Sequence, residues 1–239
     1  MRMRMRFDLS ETKLKADIRT NLISFFKKSL TEYQDGALYE TYFTPAANKS
    51  YTFAPVMYGA RFDKDDVDIP MKRIELIWST GNLTAGIDFY NAFYHQQRKD
   101  FLLPVGNVMR LNKIILEHEQ KINSKCINIR FLSPLCLRIH HKATNKDAYL
   151  SSEREGFQQL CKEIVSYQVK DVLPDYFMDS FAIVPIQAKK TVIPFHGGKI
   201  EASTGKFRLE GEPELLSFLY QFGIGSRRSA GFGCFEIAI

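Results

Sequence analysis

The hydrophobic pattern passes through the same order of periods twice along the 239 residues, and this bounds the fold more tightly than any single motif. The first nine residues alternate. Met1, Met3, Met5, Phe7 and Leu9 share one face and Arg2, Arg4, Arg6 and Asp8 the other, the period of a half-buried strand. Ser10 then offers an N-cap, with Glu11 in the first turn. The period becomes helical through Leu14, Ile18, Leu22, Phe25, Phe26 and Leu30, with Lys13, Lys15, Arg19, Lys27 and Lys28 mostly off that stripe. The stretch DGALYETYFTPAANKS reads as a loop, and YTFAPVMYGARF and RIELIWS read as strands, the second alternating through Ile74, Leu76 and Trp78. Asn82 to Gln97 reads as a helix packing Leu83, Ile87, Tyr90 and Tyr94 on one side. FLLPVGNVMRLNKIILEH has strand character broken by Pro104 and Gly106. The order is βαββαβ.

The second half repeats it. KCINIRFLSPLCLRI is strand-like. Ser152 to Leu173 carries a helical stripe of Phe157, Leu160, Cys161, Ile164, Val165, Val169 and Val172. FAIVPIQAKKTVIPF and GKFRLEG are strands, and HGGK with EASTG supplies turn chemistry between them. Gly211-Glu212-Pro213 opens a short helix that packs Leu215, Leu216 and Leu219 and closes at a left-handed Gly223. GFGCFEIAI is the last strand, alternating through Phe235, Ile237 and Ile239. Two such units predict an α+β chain of two tandem ferredoxin-like, RRM-like domains, 1–121 and 122–239, with the boundary in the polar EQKINS stretch. The repeat is topological, without sequence self-similarity. Helices cover one sheet face of each unit, leaving the other face, or the cleft between units, for a ligand.

A chain that is 45% hydrophobic can bury a sizeable core. The formal net charge of +6 comes from 33 basic and 27 acidic residues, so its distribution matters more than its sum. Phe181 to Ile200 has no acid but holds Lys189, Lys190 and Lys199; Gly223 to Phe235 has none but holds Arg227 and Arg228. Either a polyanionic partner or a solvated basic face fits that bias. Cys126, Cys136, Cys161 and Cys234 lack CxxC spacing, which argues against a metal site and a disulfide framework and for a reducing cytoplasm. MRMRMRFDL has no apolar core of the signal-peptide kind and no run approaches 18 apolar residues, so neither a leader nor a membrane span is expected.

Near the C-terminus two Gly-hydrophobic-Gly pairs, Gly223-Ile224-Gly225 and Gly231-Phe232-Gly233, bracket Ser226, Arg227, Arg228, Ser229 and Ala230. Phosphate loops of nucleotide-binding folds run strand, loop, helix, whereas this one runs helix, loop, strand and meets the negative end of a helix. A Walker or Rossmann reading is therefore disfavoured. Close backbone approach remains, to a phosphate or to another element of the protein. Arginine forks and serine hydroxyls at the tip suit phosphate oxygens.

This loop resembles the C-terminal glycine-rich motif of the repeat-associated RNA-binding superfamily. Within it the chain most resembles the CRISPR-associated endoribonuclease that cuts precursor CRISPR RNA within its repeats, the Cas-six family. YTFAPVMYG, RFLSPLCLR and the GKFRLEGEPELLSFLYQFGIGSRRSAGFG run stand where that family has similar segments, and the loop's place at the extreme C-terminus favours the endoribonuclease branch. The resemblance implies RNA bound along the cleft and basic faces, and metal-independent cleavage. It marks Gly223, Gly225, Ser226, Arg227, Arg228, Ser229, Gly231 and Gly233 as RNA-binding, with Lys189, Lys190 and Lys28 as further basic contacts. Lys189 and Lys190 are adjacent on a strand, so at most one faces the RNA.

Metal-free cleavage uses the 2′-hydroxyl as an internal nucleophile, helped by a base, an acid and positive charge. Many members of the family carry a histidine just after the first helix. Here the histidines are His95, His118, His140, His141 and His196, and the equivalent stretch offers Tyr33, Tyr39, Tyr42, Lys49 and Tyr51. Tyr39, Tyr42 and Lys49 are the catalytic candidates, Lys49 matching a position where the family often has a functional lysine. Read as residues alone, the tyrosines suit packing and Lys49 a solvated loop. Both types ordinarily titrate near 10, so positioning and charge stabilisation should dominate and turnover should be slow. His140 and His141 point to opposite faces of a strand, against a joint metal site, and His196 reads as a turn residue beside Gly197-Gly198. No cofactor or metal is expected. CRISPR repeat RNA is the implied partner, with effector-complex subunits and a second copy as further candidates. The alternatives to a nuclease are a non-cleaving repeat-binding homologue and a scaffold subunit of an effector complex.

Overall fold

The computed structural model describes residues 1–44 and 49–238; Pro45 to Asn48 of the loop-like stretch, and Ile239 of the last alternation, lie outside the described residues. The first half is a five-stranded antiparallel sheet. It contains β1 (Arg2–Leu9), β3 (Thr52–Val56), β6 (Arg73–Ser79), β7 (Asp100–Leu102) and β8 (Val108–Glu117), in the order β3-β6-β1-β8-β7. Helices α1 (Ile18–Thr31) and α3 (Leu83–His95) lie on one face. The second half orders its strands β12-β13-β9-β14, where β9 is Cys126–Phe131, β12 Ala182–Phe195, β13 Gly198–Glu210 and β14 Phe235–Ile237. Helices α4 (Phe157–Val169) and α5 (Pro213–Phe222) pack there. Without β7 the first sheet has the same order as the second, the ferredoxin-like arrangement, twice in tandem.

The alternation of β1 holds. Met3, Met5 and Phe7 are fully buried against α1 and α3, while Arg4 and Arg6 reach Glu75 and Arg4 also reaches Glu117. The arginine face is thus neutralised by carboxylates on the neighbouring strands. Arg2, 3% exposed, donates Nη2 to the Phe235 carbonyl at 3.0 Å and lies 4.8 Å over the Tyr220 ring, joining the two halves.

Several local expectations are corrected. Ser10 caps no helix: residues 13–15 form β2 (Lys13–Lys15) against β5 (Asp66–Asp68), which pairs on its other edge with β4 (Arg61–Phe62), and α1 starts after Asp17, whose carboxylate accepts from Thr20 N. The Asn107 amide holds this strand by donating to the Glu11 and Lys13 carbonyls, so Leu14 is buried from a strand and not from the helix stripe. Residues 37–43 are not loop but a short helix, α2 (Ala37–Phe43), entered through Gly36 at φ +84°. EASTG is no turn. Residues 201–205 continue β13, and the reversal is at His196-Gly197, both at positive φ. Ala202 and Ser203 are buried there, so the strand must run on to fill the core beside Cys136, Phe195 and Phe232. α4 begins at Phe157, not Ser152, because Ser151 and Ser152 are tied to Glu201 and Ser203 of β13; Val172 lies beyond its end and is exposed. KCINIRFLSPLCLRI is two strands, β9 and β10 (Arg138–His141), the latter in a hairpin with β11 (Lys146–Tyr149).

The packed side of α3 is also reversed. Leu83 is 67%, Ile87 48% and Tyr94 62% exposed, Tyr90 is half-buried, and the buried stripe is Ala85, Gly86, Phe89, Ala92 and Phe93. The small residues permit the close approach: a Cβ on Gly86 would lie 2.6 Å from the Met1 sulfur.

Candidate functional site

α5 ends at Gly223 and leaves its last carbonyls pointing toward the glycine loop. Arg228 Nη1 donates to one of them, Phe222 O, at 3.2 Å, so this arginine answers the negative end of the helix. Burial pulls its pKa down to about 10, which still leaves it charged at neutral pH. The loop lies between the halves. Arg19 of α1, read as an off-stripe residue, is buried beneath it, donating Nε to Gly231 O at 3.0 Å with its guanidinium 5.1 Å over the Phe232 ring. Thr52 of β3 donates Oγ1 to Phe232 O at 2.9 Å.

The glycines are spaced for protein, not for an anion. A Cβ on Gly223 would lie 2.8 Å from Thr52 Oγ1, one on Gly225 2.7 Å from Cys136 O, and one on Gly231 2.7 Å from the Phe53 ring. The N–H groups of Gly223, Gly231 and Gly233 are taken by the carbonyls of Leu219, Arg228 and Pro134. Only the tip of the loop is left for a ligand.

That tip, Gly225 to Ser229, forms one wall of a groove of about 690 Å³. α4 and the residues after it form the opposite wall through Tyr167, Lys170 and Asp171; Arg138 and His140 of β10 and Lys49 from the first half complete it. Five lining side chains are cationic, Lys49, Arg138, Lys170, Arg227 and Arg228, against the carboxylates of Glu163 and Asp171. Lys49, Lys170 and Arg228 have no carboxylate within ion-pair reach among the described residues. Burial, then nearby Lys27, pulls the Lys49 ammonium below its ordinary pKa. Arg227 and Arg138 share Asp147, at 2.8 and 3.4 Å. An excess of positive charge facing solvent-filled space is a site for an anion larger than one carboxylate.

A model of the C-terminal part of the CRISPR-associated protein Cas6 matches residues 117–237, a span that runs from the end of β8 to the end of β14 and includes the whole glycine loop. The chain belongs to the Cas6 family. The Cas-six resemblance read from the loop therefore holds, and so does the fold expected from it. Solved Cas6-type structures superimpose along the full length. One described as an RAMP protein binding different RNA substrates gives a TM-score of 0.82 at 18% identity, covering 100% of both chains. A Cas6-related protein from Pyrococcus furiosus gives 0.83 at 18%, covering 100% of this chain and 98% of that one. A CRISPR-associated protein Cas6 gives 0.76 at 16%, covering 100% and 99%. At such identities these likenesses show the fold alone. No curated protein sequence matches the chain.

Within this Cas6-family chain the groove gathers Lys49, Gly225, Ser226, Arg227, Arg228 and Ser229 and leaves the other candidates outside its lining. Tyr42 donates its hydroxyl to Asp88 at 2.6 Å and packs on Phe89, and burial with that carboxylate pushes its pKa upward. Tyr39 stacks on Phe43, whose ring also carries the Lys49 ammonium at 4.6 Å. Lys190 pairs with Glu201 at 3.2 Å, Lys189 is exposed on β12, and Lys28 lies by Glu32 and the Phe101 ring. Arg138, His140, Tyr167 and Lys170 line the groove without having been singled out as contacts. The Tyr42→Phe variant should lose about 1.5–3 kcal/mol of stability, the usual worth of a hydrogen bond to a charged group, yet leave RNA binding unchanged. A thermal melt and a binding titration on the one variant check both halves of that statement.

Proposed function

We propose that this chain binds CRISPR repeat RNA in the groove between the glycine loop, α4 and β10. There it cleaves the RNA without a metal, through attack of a 2′-hydroxyl on the neighbouring phosphorus. The observation that carries the reading is the cluster of five cations, three of them without an acidic partner among the described residues. A ribose-phosphate strand supplies one charge per nucleotide to meet them. Arg227, Arg228 and Lys49 would hold the scissile phosphate and stabilise the charge that grows on its oxygens. Ser226 and Ser229 would add hydroxyl donors, and Tyr167, 74% exposed, presents a ring face on which a base can stack. Known Cas6 structures described as product and substrate-mimic complexes share the fold, which makes an RNA strand the apt occupant.

The test is cleavage of the repeat RNA of the neighbouring array in EDTA. The expected products carry a 2′,3′-cyclic phosphate and a 5′-hydroxyl, and a single 2′-deoxy substitution at the scissile nucleotide abolishes cutting. Cutting that survives the deoxy substitution refutes internal attack. A second reading, tight binding without cleavage, is favoured by one observation: no histidine precedes His95, and Tyr42 of the equivalent stretch is committed to Asp88. It predicts intact RNA after long single-turnover incubation with saturating protein.

A further inference from the structure

The β10–β11 hairpin stands on the rim of the groove, and its register sets His140 directly opposite Asp147. The His140 Nδ1 lies 2.8 Å from Asp147 Oδ1. The other carboxylate oxygen accepts from Arg227 Nη2 at 2.8 Å and from Arg138 Nη1 at 3.4 Å. The His140 bond first, then the two guanidiniums, hold the Asp147 carboxyl down to about 2, so at neutral pH it is ionised and can only accept. The ring proton on that side therefore sits on Nδ1. In the imidazolium form Nε2 carries the second ring proton, and it is the nitrogen left for a substrate atom. His141, next in sequence, pairs across the hairpin with Lys146 and is not part of the groove lining.

We propose that His140 is a catalytic residue of this groove, delivering a proton from Nε2 to the 5′-oxygen of the scissile phosphodiester, with Asp147 as its positioning residue. This rests on the reading of the groove as an RNA-cleaving site. The 2′-hydroxyl gives its proton to water and its oxygen bonds to phosphorus; the P–O5′ bond breaks, and its electron pair takes the Nε2 proton. The products are a 2′,3′-cyclic phosphate and a 5′-hydroxyl, and solvent reprotonates the imidazole. The acid role suits the site better than the base role. Lys49, Arg138, Arg227, Arg228 and Lys170 already favour a 2′-oxyanion and a charged phosphorane, whereas a 5′-alkoxide is a poor leaving group unless protonated. The charged groups around the ring are these five, Asp147 beneath it, and Glu163 and Asp171 across the groove. Arg227 meets His140 through a shared carboxylate, so one anchor sets both the proton donor and a phosphate ligand.

The experiment compares the full-length wild type with His140→Ala, His141→Ala and Asp147→Asn in single-turnover cleavage and in binding of the same repeat RNA. A second substrate carries sulfur in place of the bridging 5′-oxygen, because a thiolate leaves without a proton. His140→Ala should cut the oxygen substrate about 10²–10⁴-fold more slowly while binding it as the wild type does. It should cut the sulfur substrate at close to the wild-type rate and lose the alkaline fall of the pH–rate profile. Asp147→Asn should shift that profile, and His141→Ala should match the wild type throughout. Wild-type cutting of the oxygen substrate by His140→Ala overturns the inference and leaves the cleavage reading intact. An equal loss on both substrates removes the acid role. A wild type that binds repeat RNA and never cuts it defeats the inference and the cleavage half of the reading together. A wild type that does not bind defeats the whole functional reading.

Discussion

Alanine at Gly233 should lower the melting temperature by about 6–12 °C and take RNA binding down with it, through loss of about 3 kcal/mol of stability in a chain where each kcal/mol moves the midpoint by about 2–4 °C. Gly233 sits at φ +71°, which by itself costs a side-chain-bearing residue of order 1–3 kcal/mol. The larger problem is contact. A Cβ there would fall on the carbonyl oxygen of Ile224, and that carbonyl is backbone, so no rotamer change relieves it. Ile224 and Gly233 are locked together because Ile224 N donates to Gly233 O at 2.9 Å, while Gly233 N donates to Pro134 O at 2.9 Å. Any shift that admits a methyl group breaks one of these bonds and lifts the loop from the Phe53 ring beneath Gly231. Gly59 is the internal comparison, since it has nearly the same backbone conformation, φ +69°, with nothing within 4 Å of its would-be Cβ. Gly59→Ala should cost only the backbone term, about 1 kcal/mol. If both variants melt together, the clash with Ile224 is not what fixes a glycine at this position.

The same contrast shows what the sequence could and could not disclose. The two halves were readable because strand and helix periods depend on neighbours a few residues apart: β1 alternates as written, and α5 runs from Pro213 to its glycine stop. The packed face of α3 is not legible in the sequence, because size does not mark burial in this helix. Leu83, Ile87 and Tyr94 are the large residues, yet the sheet is met by Ala85, Gly86 and Ala92, whose smallness allows two large rings, Phe89 and Phe93, to enter the core. α2 has little signature in the sequence because its apolar residues, Leu38, Tyr39, Tyr42 and Phe43, are only half-buried and give a weak stripe. At the site, the loop motif was visible but its division of labour was not. That the glycines serve packing and the tip faces the groove depends on β3, β10 and α1 arriving from distant parts of the chain. Asp147 behind His140 follows from a hairpin register, and a buried Arg19 follows from a loop 212 residues away. Such pairings have no local signature.

Removing both Arg227 and Arg228 should weaken repeat binding by about two orders of magnitude or more, since hydrogen bonds to charged groups are worth about 1.5–3 kcal/mol each. It should also flatten the dependence of log affinity on log salt by about 1.4, the contribution of two contacts to a single strand at about 0.7 apiece. The two arginines reach that result by different routes. Arg227 is held by Asp147, Tyr149 and the ring of Phe195, so it is pre-set toward the groove and its loss leaves the fold intact. Arg228 is half-buried and also caps α5 through Phe222 O, so alanine there removes a charge and uncaps a helix at once. Arg228→Lys separates the two effects: it keeps the charge and so the salt slope, while its single ammonium replaces a fork that bonds the carbonyl and, on the proposed reading, would also bond a phosphate. Lys189→Ala with Lys190→Ala is the matched control of equal charge, and because Lys190 already spends its ammonium on Glu201, that pair should move affinity by less than about tenfold. A double arginine variant that melts like the wild type, binds repeat RNA as tightly and keeps its salt slope would leave the loop with packing as its only task, and the cations of the groove would need another anion to explain them.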